Sequence, residues 1–437
     1  MSKETFANCA LVCKDWSFTA QEFLFRRVTL RSEITFHSFA TAVRNQSPRG
    51  RALAAAVKRM HCIVDDKQPL SLSLATFAQA VTMCPNLQSL HLALFNAPLI
   101  SDGAVATDHA VRSAPPTFAF TDDVLSALRN GPRISTLRFD NWSNDETALI
   151  QLLDNLPSVT ALAISGKTPS LSSPLLEPSS CALQEVRMNF QTAPSTSFLS
   201  WLLHSSKGVL RSLEFQREPS IALLEHLVSE HGETLESLAL PACASQEGAA
   251  LLQRCTQLRE LRLENAWLAP GVRRDLPSSL ERLAIAVDKE TPLQPVVQAI
   301  KRSEALSSIT LQVWTEGERH PQLAAVKIAC ATRGIQLKVM RDIQVFRTVK
   351  VRGLSECPNE HLLIHLHIAW VPNTRDGLHL REVDEMKHER LFDLHSRHFR
   401  LYSHCIIPPR VHVLVAIFYH PKTCSHIRYL TPRISSL

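Results

Sequence analysis

The chain contains no Cys-x-x-Cys, no Gly-x-Gly-x-x-Gly and no complete Gly-x-x-x-x-Gly-Lys-Ser/Thr loop. Without those glycines a nucleotide has no phosphate cradle, and the 11 scattered cysteines, odd in number, form no recognisable disulfide framework. No stretch approaches the roughly 18 apolar residues needed to span a bilayer. Residues 1–16 also lack an apolar signal core behind a basic segment. These absences predict a cytoplasmic or nuclear chain, in which Cys62, Cys84 and Cys255 serve as small buried hydrophobes.

Catalytic constellations are missing as well. His91, His204, His226 and His231 are spread along the chain with no nucleophile elbow near any of them, so neither an enzyme nor a cofactor is expected. Charge excludes another class. Residues 1–340 carry 33 Lys plus Arg against 32 Asp plus Glu, too balanced for a surface that binds nucleic acid mainly through phosphates.

What the chain does have is a repeat. Ten times between Val57 and Leu311 it writes an apolar residue, two others, an apolar, one other, an apolar, mostly at intervals of 22 to 30 residues. Six copies are clear, starting at Leu87, Leu183, Leu210, Leu235, Leu258 and Leu280; four weaker ones start at Val57, Ile134, Val159 and Leu306. The fourth and sixth positions share one parity, so in a strand they bury together while the third and fifth point away. Between most copies lies an apolar stretch of helical spacing: 76–84, 122–129, 146–156, 198–204, 221–230, 248–255 and 295–303. Pro85, Pro132, Pro157 and Pro277 stand just before strands, where a helix has already ended. Thr121 precedes Asp122 and Asp123 as a helix start.

The expected fold class is therefore α/β: a leucine-rich repeat solenoid, with a curved parallel sheet inside and helices outside. A doubly wound α/β domain also alternates strands and helices, but it needs strands buried on both faces, and here Gln, Ser, His, Arg and Glu sit beside the apolar positions. The repeats are degenerate. Asn96, Asn141 and Asn265 alone lie near the place where such repeats put a turn-bonding Asn or Cys. The 47-residue interval from Leu87 to Ile134 reads as an insertion at about 93–120, or as one decayed repeat. A solenoid displays surface rather than chemistry. The third and fifth positions give its candidate target-binding face: Ser89, His91, Thr136, Arg138, Glu185, Arg187, Ser212, Glu214, Glu260, Arg262 and Arg282.

Ahead of the repeats, Cys9-Ala-Leu-Val-Cys-Lys-Asp-Trp16 is followed by Leu24-Phe-Arg26, with apolar residues on one face of two short helices and Ser17 placed to cap the second. This segment resembles the second half of an F-box at Leu11, Val12, Cys13, Lys14, Trp16, Leu24, Phe25 and Arg26. Joined to leucine-rich repeats, it is similar to the F-box proteins of mushroom-forming fungi. The first half of an F-box, with its Leu-Pro pair, has no counterpart here, so the resemblance implies an N-terminally truncated module. It further implies docking on a Skp-type adaptor through Leu11, Val12, Cys13, Trp16, Leu24 and Phe25, a cullin beyond that adaptor, and a protein target held by the repeats. A repeat scaffold that has lost ligase docking is the alternative.

The expected organisation is a helical F-box remnant at 1–32, a linker helix at 33–53, repeats over 54–340 and a poorly ordered His- and Arg-rich tail at 341–437. In the tail, His361, His365 and His367 have a spacing that could hold a metal, and Val411–Tyr419 is a β-prone run. No metal site is expected, because no Cys or carboxylate pair completes the set.

Overall fold

Every hexad is a strand. In the computed structural model, which describes residues 3–96, 120–171, 177–243, 245–264, 276–314 and 317–348, twelve strands form one parallel sheet in strict chain order. The first elements are helices α1 (Lys3–Val12) and α2 (Lys14–Phe25), strand β1 (Arg27–Leu30), helices α3 (Glu33–Ala42) and α4 (Pro48–Ala56), and strand β2 (Arg59–Asp65). Then come α5 (Leu74–Thr82), β3 (Ser89–Phe95), α6 (Asp122–Arg129), β4 (Thr136–Trp142), α7 (Ala148–Asn155), β5 (Ala161–Gly166), β6 (Glu185–Phe190) and α8 (Thr196–Leu203). The order continues with β7 (Ser212–Phe215), α9 (Ile221–His231), β8 (Ser237–Leu240), α10 (Gln246–Gln253), β9 (Glu260–Leu263) and β10 (Arg282–Val287). It closes with α11 (Gln294–Arg302), β11 (Ser308–Val313), α12 (Leu323–Arg333), β12 (Gln336–Met340) and α13 (Ile343–Thr348). All of these belong to one unit, Met1–Pro358. The metal-spaced histidines and the run from Val411 lie outside the described residues, as does everything from residue 349 on.

The core explains the hexad. Leu90 and Leu92 of β3, Leu137 and Phe139 of β4, and Leu261 and Leu263 of β9 join Phe77, Val81, Leu128, Leu224 and Ile300 from the helices in one buried cluster. Helices therefore cover one face of the sheet, and neighbours pack on each other in the pairs α5–α6, α6–α7, α9–α10 and α11–α12. Serine caps six of the thirteen helices named above. The hydroxyls of Ser73, Ser195, Ser220 and Ser245 each accept from the backbone N–H three residues on, at Thr76, Phe198, Leu223 and Gly248, satisfying a donor that the helix leaves orphaned. Thr121 stands at the cap of α6 but its hydroxyl makes no such bond.

Several expectations need correction. Ser17 lies inside α2, which starts three residues earlier, and its hydroxyl accepts from the Gln21 amide instead of capping. Residues 27–30 extend the sheet as β1, paired in register with β2, so the remnant is not helical throughout. The segment 33–53 is no linker: α3 and α4 place Phe36, Phe39, Leu53 and Ala54 in the core. Residues Ala93–Phe95 belong to β3, and β3 pairs directly with β4, so no other strand stands between the two in the sheet. The last strand among the described residues, β12, ends at Met340, and the segment expected to be a poorly ordered tail begins with a helix, α13.

At the ends of β4 and β5 one turn needs both Asn and Gly. The buried Asn141 amide donates to the Asp145 carbonyl at 2.6 Å, and its Oδ1 accepts from the Ser143 backbone and hydroxyl. Beside it Gly166 has φ +96°, and a Cβ there would lie 2.0 Å from the Asn141 carbonyl oxygen. No larger residue fits.

Candidate docking surfaces

Strand register turns the hexads into lateral rows. The third positions align as Arg59, Ser89, Thr136, Ala161, Glu185, Ser212, Ser237, Glu260, Arg282 and Ser308. The fifth positions align as His61, His91, Arg138, Ala163, Arg187, Glu214, Ala239, Arg262, Ala284 and Thr310. All the predicted target-face residues thus share one side of the sheet, opposite the helices.

Their environments differ along it. On β2 to β4, His61 and His91 stack with ring centroids 3.8 Å apart, and His91 Nε2 lies 2.6 Å from Asp140 Oδ2, which also receives Arg138 at 3.4 Å. Burial, reinforced by the charges of His91, Arg138 and Arg31, pushes the His61 imidazole down to about 3, so it is neutral at physiological pH. Burial alone would raise the Asp140 carboxyl, but the hydrogen bond from His91 and the Arg138 charge hold it below the ordinary carboxylate range. Ser89, His91, Thr136, Arg138, Glu185 and Arg187 are half-buried and reachable from solvent. Desolvation outweighs Arg187 at Glu185 and pushes that carboxyl up to about 7.

On β7 to β9 the surface is closed. Ser212, Glu214, Glu260 and Arg262, expected as target contacts, are buried, while Arg282 stays half-buried. Glu214 bridges Arg187 at 2.9 Å and Arg262 at 2.7 Å; Glu260 accepts from Ser237 and pairs with Arg282. The Glu214 and Arg262 side chains are 5% and 3% exposed. One cause is α13, which sequence reasoning assigned to the tail. Arg262 donates to the Arg347 carbonyl at 2.9 Å, Arg347 reaches Glu264 at 2.7 Å, and Phe346 is fully buried although it stands outside the contiguous core. Its signal was weak, since Ile343 to Thr348 carries no repeat pattern.

A second surface lies on α1 and α2. Leu11, Val12 and Trp16 are 76%, 65% and 57% exposed, and Cys13 and Phe18 are exposed beside them. Leu24 is half-buried, and Phe25 packs against the repeat core. Phe6 and Phe23 stack at 4.8 Å, joining the two helices.

Chemistry finds little footing elsewhere. Among the described residues no group of three or more His, Cys, Asp or Glu is placed to hold a metal ion, and no helix is long and apolar enough to cross a membrane. Gly166-Lys167-Thr168 has the last three letters of a phosphate loop but Ala161 where its first glycine belongs. Lys167 pairs with Glu146 at 2.9 Å and Thr168 bonds across to Thr192, so the triplet is a turn between repeats. Burial raises the thiols of Cys62, Cys84, Cys243 and Cys255, the last two to about 11, which keeps them unreactive.

No protein-family model matches the chain, and no curated protein matches it. Among solved structures it is similar to the crystal structure of a TLR13–ssRNA13 complex, at 13% sequence identity and a TM-score of 0.28. The match covers 66% of this chain and 33% of that one.

Proposed function

We propose that the chain is the substrate-recognition subunit of a Skp-cullin-F-box type ubiquitin ligase, docking a Skp-type adaptor through α1 and α2 and holding a protein target on the inner face of the sheet, opposite the helices. It acts by proximity, with the transfer chemistry residing in partner subunits. The observation that carries this reading is the exposed run Leu11, Val12, Cys13 and Trp16, four of the six positions that resemble the adaptor-docking part of an F-box. Each large apolar side chain covered by a partner contributes roughly 1.5 to 3 kcal/mol. Contiguous exposure of this kind marks an interaction site more often than a solvated surface.

The test is a binding titration of the full chain against a Skp-type adaptor. Wild type binds, and Trp16→Ala, which removes an anchor of about 2 kcal/mol, weakens binding about 30-fold. No association by the full chain rejects the ligase reading and leaves a repeat scaffold whose docking surface is the sheet.

A further inference from the structure

We propose that the face of β8 to β10 opposite the helices is a recognition surface for a peptide bearing an apolar side chain followed by arginine, and that Phe346–Arg347 occupies it in cis. This rests on reading the sheet face as the target surface, and it names the chemistry that face selects.

Three observations converge. First, the face is built for a cation and a main chain together: Glu264 takes the Arg347 guanidinium through two nitrogens, at 2.9 and 2.7 Å, while Arg262 donates to the Arg347 carbonyl oxygen at 2.9 Å. Paired contacts of this kind read a planar guanidinium and the backbone beside it. Second, the register leaves room. Arg262 stands between Ala239 and Ala284 in its lateral row, and Ala286 follows on β10, so the positions flanking Arg262 on this face carry only methyl groups. All three alanines are buried, and so is Phe346, the large apolar residue next to Arg347. Third, the occupant is weakly self-supporting. The helix has six residues, far below the roughly 12 to 15 at which an isolated helix persists in water. Its position therefore depends on the side chains at 346 and 347, and a competing segment with the same pair can take their place. Arg347 is itself 36% exposed, so an incoming guanidinium can reach the contact.

The direction of selectivity follows from charge. Glu214, Glu260 and Glu264 line this part of the face, and Arg187, Arg262 and Arg282 already neutralise the first two. Glu264 is the carboxylate shared with the occupant, at 3.6 Å from Arg262 and 2.7 Å from Arg347. Losing Arg347 without a replacement leaves that carboxylate short of one partner, so a basic segment binds here and an acidic one does not.

The experiment uses the full chain and a fluorescent peptide of sequence Arg-Asp-Ile-Gln-Val-Phe-Arg-Thr, read by anisotropy. The peptide binds a Phe346→Ala/Arg347→Ala variant at least about tenfold more tightly than wild type, because the tethered occupant no longer competes. Adding Glu264→Gln reverses that gain, and a peptide with Ala for its second Arg does not bind. Equal affinity for wild type and the double variant, or no binding to a double variant that melts like wild type, overturns the proposal. Hydrogen exchange covers the case of a variant that fails to fold: in otherwise wild-type chain, Glu264→Gln speeds exchange of residues 343–348 at least about tenfold while β3 to β5 stay unchanged, and unaltered exchange there equally overturns it. Adaptor binding through Trp16 is measured separately, so loss of peptide binding with adaptor binding intact refutes the peptide surface and not the ligase reading.

Discussion

Strands β2 and β6 alternate buried and half-buried residues along their whole length, whereas β7, β8 and β9 bury every residue. The two regions share the same hexad, the same parallel pairing and one continuous core. The difference teaches that the repeat dictates one side of the sheet and leaves the other to whatever lies against it. In the first region that side keeps half-buried His and Arg side chains around the buried Asp140; in the second it holds a closed ion cluster that α13 contacts.

The comparison can be strained from both sides. The largest effect falls on the face the regions have in common: Phe139→Ala in β4 and Leu261→Ala in β9 each cost about 3 to 5 kcal/mol in a denaturant titration, since both side chains are fully enclosed. Unequal losses would mean that the core is not shared. Next comes the face on which they differ. Arg262→Ala strands buried carboxylates and costs about 3 kcal/mol, whereas Arg138→Ala, at a side chain 39% exposed, costs less than about 1. Similar values for the two would erase the distinction.

The last effect is one of pH and is confined to the first region. His61 titrates lower in the folded chain, at about 3, than the 6.5 of a free imidazole, so the unfolded chain binds a proton that the folded one refuses. Stability contributed by the neutral imidazole is complete above about 6.5 and declines as pH falls towards 3, by at most about 1.4 kcal/mol per unit. Protonation would place a cation against His91, Arg138 and Arg31, opposed by Asp140 alone. Hydrogen exchange at pH 7 and pH 5 should show β2 and β3 loosening while β9 and β10 hold, and His61→Gln should flatten the response.

The sheet was legible because side-chain parity in a strand is a strict rule. Ten hexads give β2 to β11, and helix spacing between them places α5 to α11 within a few residues. The two outer strands show where the pattern fails. The hexad is in fact written at Phe25-Arg-Arg-Val28-Thr-Leu30, but the same residues complete a helical motif, and periodicity cannot choose between the two uses. At β12 the first hexad position is Gly334, which takes φ +68° to end α12, so a backbone requirement displaces the apolar residue. The docking face was legible as a set of positions and not as a set of environments. Nothing near Glu214 or Arg262 in sequence announces Arg347, 85 residues beyond Arg262. Contacts at that separation leave no local period to read.

Helix α2 ends at Phe25 and β1 begins at Arg27, with Phe25 itself seated on the repeat core. A joint of one residue, anchored by an aromatic ring, has no slack to swivel. On the proposed reading, a protein that grips Trp16 would thereby fix the attitude of the strands that follow, and a target carried on them would be presented at a set angle rather than on a tether.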